Sequence, residues 1–285
     1  MKEKDLILKG WQRILLLIIP YFFIVFLFQF IGQLIACGGD IKNIEIPQTL
    51  VQHLIVSFFN LLGTLLILYL FVRAVDDEPF TNMGFQITNR LKDNTIGVFL
   101  GLIIMSLAYI ILIYLGEIIY IKTQFNLESI FLSIGLFITV ALAEEILFRG
   151  YILRNLMYSF NKYAALLLSS TLFSLMHGVN PNMDWFSFLS LFLAGILLGM
   201  SYIYTKNLWF PIALHFSWNF FQTLFGFNIS GQDLYSLIEF KIEEKNIING
   251  GNFGFEGSIF SIITQVIIIT AIIIHYQNKK TKDQV

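Results

Sequence analysis

The chain has 285 residues, of which 56% are hydrophobic, 16% aromatic and only 13% charged. Its net charge is −1 and its mean hydropathy +0.74. A soluble domain carries about a quarter charged residues, so the polar surface needed to cover a single water-soluble core is missing. That balance excludes a cytosolic enzyme, a disordered scaffold and, with no basic stripe, a nucleic-acid partner. The single cysteine, Cys37, excludes an internal disulfide framework.

A helix needs about 20 apolar residues to cross a bilayer core. Taken in chain order, the runs 14–35, 54–72, 96–113, 129–148, 164–177, 186–204, 208–227 and 259–276 predict eight such helices. The expected fold is all-α: a polytopic membrane protein of about eight transmembrane helices enclosing an intramembrane cavity. Basic residues check the count. Lys2, Lys4, Lys9, Arg13, Arg73, Arg90, Lys92, Arg149, Arg154, Lys162, Lys206, Lys279, Lys280 and Lys282 fall on one set of ends, against Lys42, Lys122, Lys241 and Lys245 on the other. Such a bias predicts a multi-pass cell-membrane protein with both termini cytoplasmic.

The basic N-terminus before an apolar run, with Leu34-Ile35-Ala36-Cys37 after it, has the outline of a lipoprotein signal. The run is longer than a signal core and contains Gln29 and Gln33, which predicts an uncleaved first helix. Trp11, Trp185 and Trp209 fall at span edges, where indoles favour the headgroup level. Gly195 and Gly199 read as a helix-packing face. The 228–257 stretch, rich in Gly, Asn and acids, reads as a surface connection.

Ionisable groups inside a membrane are expensive and usually functional. Glu144, Glu145 and Arg149 lie in Ala-Glu-Glu-Ile-Leu-Phe-Arg, His177 ends Phe173-Ser-Leu-Met-His, and His215 and Asn219 share Leu-His-Phe-Ser-Trp-Asn. Adjacent helical residues point about 100° apart, so Glu144 and Glu145 should not both aim at one small site. Glu145 and Arg149 are spaced i, i+4 and predict an ion pair, which leaves Glu144 as the free carboxylate. Phe173 is placed to wall His177, and His215 stands beside Asn219. At 1.5 Å per residue, Glu144, His215 and His177 lie roughly 15, 10 and 20 Å from the cytoplasmic boundary, close enough for one cavity. His53, His275, Asn60 and Glu117 read as helix glue or edge residues.

A buried carboxylate with an imidazole deprotonates water, and an imidazole with an amide donates to an oxyanion. The set predicts a hydrolase for an acyl or peptide bond. Glu144, His177 and His215 also form a candidate metal set, with Zn as the ion, although no His-Glu-x-x-His helix is present.

The three motifs, in this order and on separate helices, resemble the CAAX-protease and bacteriocin-processing family (CPBP, also called Abi), which includes the eukaryotic Ras-converting endopeptidase. The resemblance covers about residues 90–226, and Asn82-Met83-Gly84-Phe85 before it fits too. It implies an intramembrane endopeptidase in which Glu144 and His177 activate water, His215 and Asn219 stabilise the oxyanion, and Glu145 and Arg149 support the site. It divides the chain into residues 1–90 with two helices and a loop, a catalytic core over 91–227, and residues 228–285 with a loop, the last helix and a basic tail. Its implied partners are membrane lipid and a peptide or lipidated protein substrate, with roles in peptide maturation or bacteriocin immunity; a homo-oligomer is left open. A non-proteolytic membrane partner, binding a kinase or shielding against a bacteriocin, is the competing reading, and a proton-coupled transporter a third.

Overall fold

The computed structural model describes residues 8–39, 47 and 49–282; Lys2, Lys4 and Lys42 lie outside the described residues. With no water to satisfy backbone polar groups, apolar runs of this length fold as helices. In chain order these are α1 (Gly10–Ala36), α2 (Leu50–Ala74), α3 (Leu91–Tyr114) and α4 (Leu127–Glu145). The last continues through a π-helical turn, Ile146–Leu153, into α5 (Arg154–Ser159), and α6 (Lys162–Met176), α7 (Trp185–Thr205), α8 (Trp209–Leu224) and α9 (Ile259–Lys282) follow. Side-chain caps set several starts: Thr49, Asn126, Asn161 and Asp184 each accept from a backbone N–H of the turn they precede.

Among the described residues, six helical bodies are long and apolar enough to cross a membrane. The other two expected spans are shorter: α6 has 15 residues and α8 has 16. At 1.5 Å per residue that is roughly 22–24 Å, less than a bilayer core of about 30 Å. They are the helices that carry His177 and His215. Eleven of the sixteen α8 residues are buried, so this helix lies among its neighbours and has no need to span lipid alone. Arg149 and Arg154, expected in a connection, lie within the helical body 127–159.

Small residues set the close approaches. A Cβ on Gly97 of α3 would come within 2.7 Å of Ala213 Cβ on α8, and Ser217 Oγ donates to Gly97 O at 2.9 Å. The Gly195 and Gly199 pair does pack, as expected: a Cβ on Gly195 would meet Ser170 Cα of α6 at 2.9 Å. The Asn82–Phe85 segment supports the α7–α8 corner, where Tyr202 donates to Met83 O at 2.9 Å and Leu208 N to Gly84 O at 3.0 Å. Trp209 is half-buried beside Phe85.

At one end of the bundle, Arg13 Nη1 lies 3.4 Å from Asp76 Oδ1 and 3.3 Å from Asn155 Oδ1, while Arg154 pairs with both Asp76 and Glu78. Burial pushes the Asp76 carboxyl up, and the two guanidiniums pull it back. At the other end, two elements differ from expectation. A two-stranded antiparallel ribbon joins β1 (Ile119–Thr123) to β2 (Ile238–Lys241), in runs too short for periodicity to reveal. The 228–257 stretch is not a surface connection, because Asn249, Phe253, Phe255 and Glu256 are buried in it. Glu117 anchors this loop by accepting from Asn246 and Asn249 Nδ2, each at 2.8 Å.

Candidate active site

Glu144 and Glu145 end α4 where it loosens into the π-helical turn, a feature that favours functional positions. Glu145 is fully buried and Arg149 nearly so, at 0% and 1% side-chain exposure. The predicted pair forms: Arg149 Nη1 lies 2.8 Å from Glu145 Oε1, and Arg149 Nη2 donates to Gly195 O at 3.1 Å. The Phe173 ring covers the guanidinium, with Cζ 4.6 Å from its centroid.

The same Glu145 Oε1 also receives His215 Nδ1 at 2.8 Å. The expectation that the adjacent glutamates cannot serve one site is therefore corrected. His215 lies between them, with Nδ1 on Glu145 and Nε2 3.9 Å from Glu144 Oε2. A helical divergence of 100° is accommodated because an imidazole presents nitrogens on two of its edges. A carboxylate next to Arg149 only accepts, so Nδ1 carries the proton and Nε2 presents its lone pair.

His177 caps the C-terminus of α6. Its Nδ1 lies 2.8 Å from Phe173 O. A carbonyl has no hydrogen to give, so here too Nε2 is the lone-pair nitrogen. It sits 3.6 Å from Glu144 Oε2. The Phe173 ring walls both imidazoles, at centroid distances of 4.6 Å from His177 and 6.4 Å from His215. Asn219 is one turn from His215 and lines the same cavity with its carboxamide unpartnered among the described residues.

Three acceptors thus converge: Glu144 Oε2 and two imidazole Nε2 atoms. Glu144 Oε2 is buried without a hydrogen-bond partner among the described residues, and both separations exceed a direct hydrogen bond. An occupant with hydrogens to give is what such a set lacks. The donor types also suit zinc, although among the described residues no group of three His, Cys, Asp or Glu is gathered to hold a metal ion.

The site opens on a cavity of about 310 Å³. Its walls are apolar along Val56, Phe137, Val140, Leu191, Ala194 and Leu197. His53 and Asn60 line it too, and Asn60 Oδ1 accepts from Gln29 across α1 and α2 at 3.2 Å, the helix glue expected of it. Sequence reasoning missed Glu256 and Gln265, which also line the cavity. The one available signal was a lone acid set among Gly254, Phe255 and Gly257 just before an apolar helix.

Residues 126–221 match the family model described as type II CAAX prenyl endopeptidase Rce1-like. No curated protein matches the chain, and no solved structure does. The matched segment runs from the cap of α4 into α8 and includes Glu144, Glu145, Arg149, Phe173, His177, His215 and Asn219. Over that segment, about a third of the chain, this membrane-embedded helical fold is similar to the CAAX protease family, a group of membrane endopeptidases.

Proposed function

We propose that the chain is a glutamate-type intramembrane endopeptidase, with Glu144, His177, His215 and Asn219 as its catalytic residues. The observation that carries this reading is the unpartnered Glu144 Oε2 facing two imidazole lone pairs, 3.6 and 3.9 Å away. A substrate water held there gives one proton to Glu144 while its oxygen attacks the scissile carbonyl carbon, and His177 Nε2 orients it by accepting from the second O–H. Asn219 Nδ2 donates to the oxygen of the tetrahedral intermediate. His215 Nε2 has a lone pair at rest, so it joins as a donor only once protonated, a charge that Glu145 then stabilises. The C–N bond breaks as Glu144 returns its proton to the leaving nitrogen, and the remaining acid ionises as the product carboxylate.

The apolar walls favour a membrane-associated or lipidated peptide, in peptide maturation or bacteriocin immunity. The test compares protein termini by mass spectrometry in cells carrying wild type or Glu144→Gln at matched membrane levels. Product termini should fall by at least about a hundredfold in the variant. With the purified protein, a chelator should leave cleavage unchanged. Termini that persist in a folded Glu144→Gln protein would move the non-proteolytic partner reading ahead, and chelator loss restored by zinc would favour the metalloprotease form.

A further inference from the structure

The catalytic set leaves several polar residues of the cavity unexplained. Asn180, Ser190, Ser230, Gln232, Glu256 and Gln265 line it too. Glu256 is a buried acid, 8% exposed, held by a built contact: its Oε2 accepts from Ser230 N and from Ser230 Oγ, each at 2.9 Å. Its other oxygen accepts nothing among the described residues. Gly254, at φ +98° beside Asn228, supplies the left-handed turn that brings the Phe255–Gly257 segment back against the helices.

Gln265 is the second, independent observation. It is 1% exposed, and its Nε2 is committed to Ser261 Oγ at 2.8 Å and Ser190 Oγ at 3.3 Å. With the amide in this orientation Oε1 is the open face, and Oε1 is buried with no partner among the described residues. Two residues with an unfilled acceptor, one of them an acid, thus line the same cavity. No Lys or Arg lines the cavity among the described residues. A free carboxylate would meet an acid there with no Lys or Arg to hold it, whereas an ammonium or guanidinium has the hydrogens that these acceptors lack.

We infer that Glu256 and Gln265 form a cation-selecting subsite, which positions a basic side chain or free amine of the substrate while its apolar part lies along the cavity walls. This inference rests on the endopeptidase reading. Burial holds the Glu256 carboxyl above the usual carboxylate range, with the Ser230 bonds and the two histidines opposing it. An arriving cation restores its charge.

The test uses the full chain in neutral-lipid nanodiscs and two photoreactive probes, a dodecyl ammonium and the matched dodecyl carboxylate. Crosslinks are mapped by mass spectrometry. The ammonium should label the segments around 256 and 265 at least about tenfold more than the carboxylate. Glu256→Gln, which keeps an acceptor for Ser230, and Gln265→Leu should each remove most of that preference, and the second variant decides if the first does not fold. Equal labelling by both probes, or a preference unchanged in folded variants, overturns the subsite. Running both probes on Glu144→Gln separates the two conclusions. Charge preference with persistent proteolysis sinks the catalytic assignment and keeps the subsite; lost proteolysis without charge preference does the reverse.

Discussion

Glu145 Oε1 takes both Arg149 Nη1 and His215 Nδ1 at 2.8 Å, so a single buried oxygen neutralises a guanidinium and fixes a tautomer. The two duties separate by mutation. Glu145→Leu leaves Arg149 buried without a counter-charge, which should cost about 3–5 kcal/mol of stability, and it releases the His215 ring. Adding Arg149→Met removes the stranded charge and should recover most of the stability in a denaturation series, because the two residues are coupled neighbours. Proteolysis should stay at least about a hundredfold down in the double variant, since His215 still lacks its orienting carboxylate. Recovery of both would reduce Glu145 to a structural counter-ion. The Glu145–Arg149 half of this arrangement was legible in the sequence, because i, i+4 spacing is local geometry. The His215 half was not: 70 residues separate it from Glu145, and only the packing of α8 on α3 and α4 brings the ring there.

Elements with an apolar period were readable, and those defined by their ends were less so. The six long helices follow from run length alone. The shortness of α6 was already in its run, 164–177, but that of α8 was not, because residues 225–227 prolong the expected run while the backbone turns away. His177 directly follows the last residue of α6, where its ring nitrogen donates to the Phe173 carbonyl one turn back. The α7–α8 corner shows a similar end effect. Lys206 takes the left-handed conformation at φ +54°, and its Nζ reaches Ile203 O at 3.0 Å. Burial, then repulsion from Lys162, pushes its ammonium down to about 8. The fold thus favours neutral Lys206, a contribution present above the unfolded value of 10.5 and lost as pH falls through about 8. Lys206→Met should therefore raise the melting temperature by a few degrees at pH 6.5, and the gain should shrink by pH 9. A pH-independent gain would assign it to packing alone.

Across the whole molecule, apolar residues face outward along the helices: Phe22, Phe23 and Phe26 of α1 are 51%, 68% and 70% exposed, and Leu107 and Ile110 of α3 continue the belt. Lipid is the solvent such a surface requires. The charged ends differ in kind. The end holding Arg13, Asp76, Arg154 and Glu78 buries its charges in a network, so part of the basic bias in the sequence is internal structure and part is exposed. That leaves the exposed lysines to report orientation. In a Cys37→Ser background, cysteine replaces exposed Lys92 on α3 or exposed Lys245 in the 228–257 loop. With both termini cytoplasmic, a membrane-impermeant maleimide should label Lys245→Cys in intact cells and Lys92→Cys only after permeabilisation. The reverse pattern would invert the molecule and discard the charge-bias argument. Orientation also decides the meaning of Glu256. With Lys245 outside, the loop covers the cavity from the external side, which leaves the cytoplasmic face and the lipid as approaches for the substrate. An amine bound at Glu256 would then be the part of the substrate that has travelled furthest into the membrane.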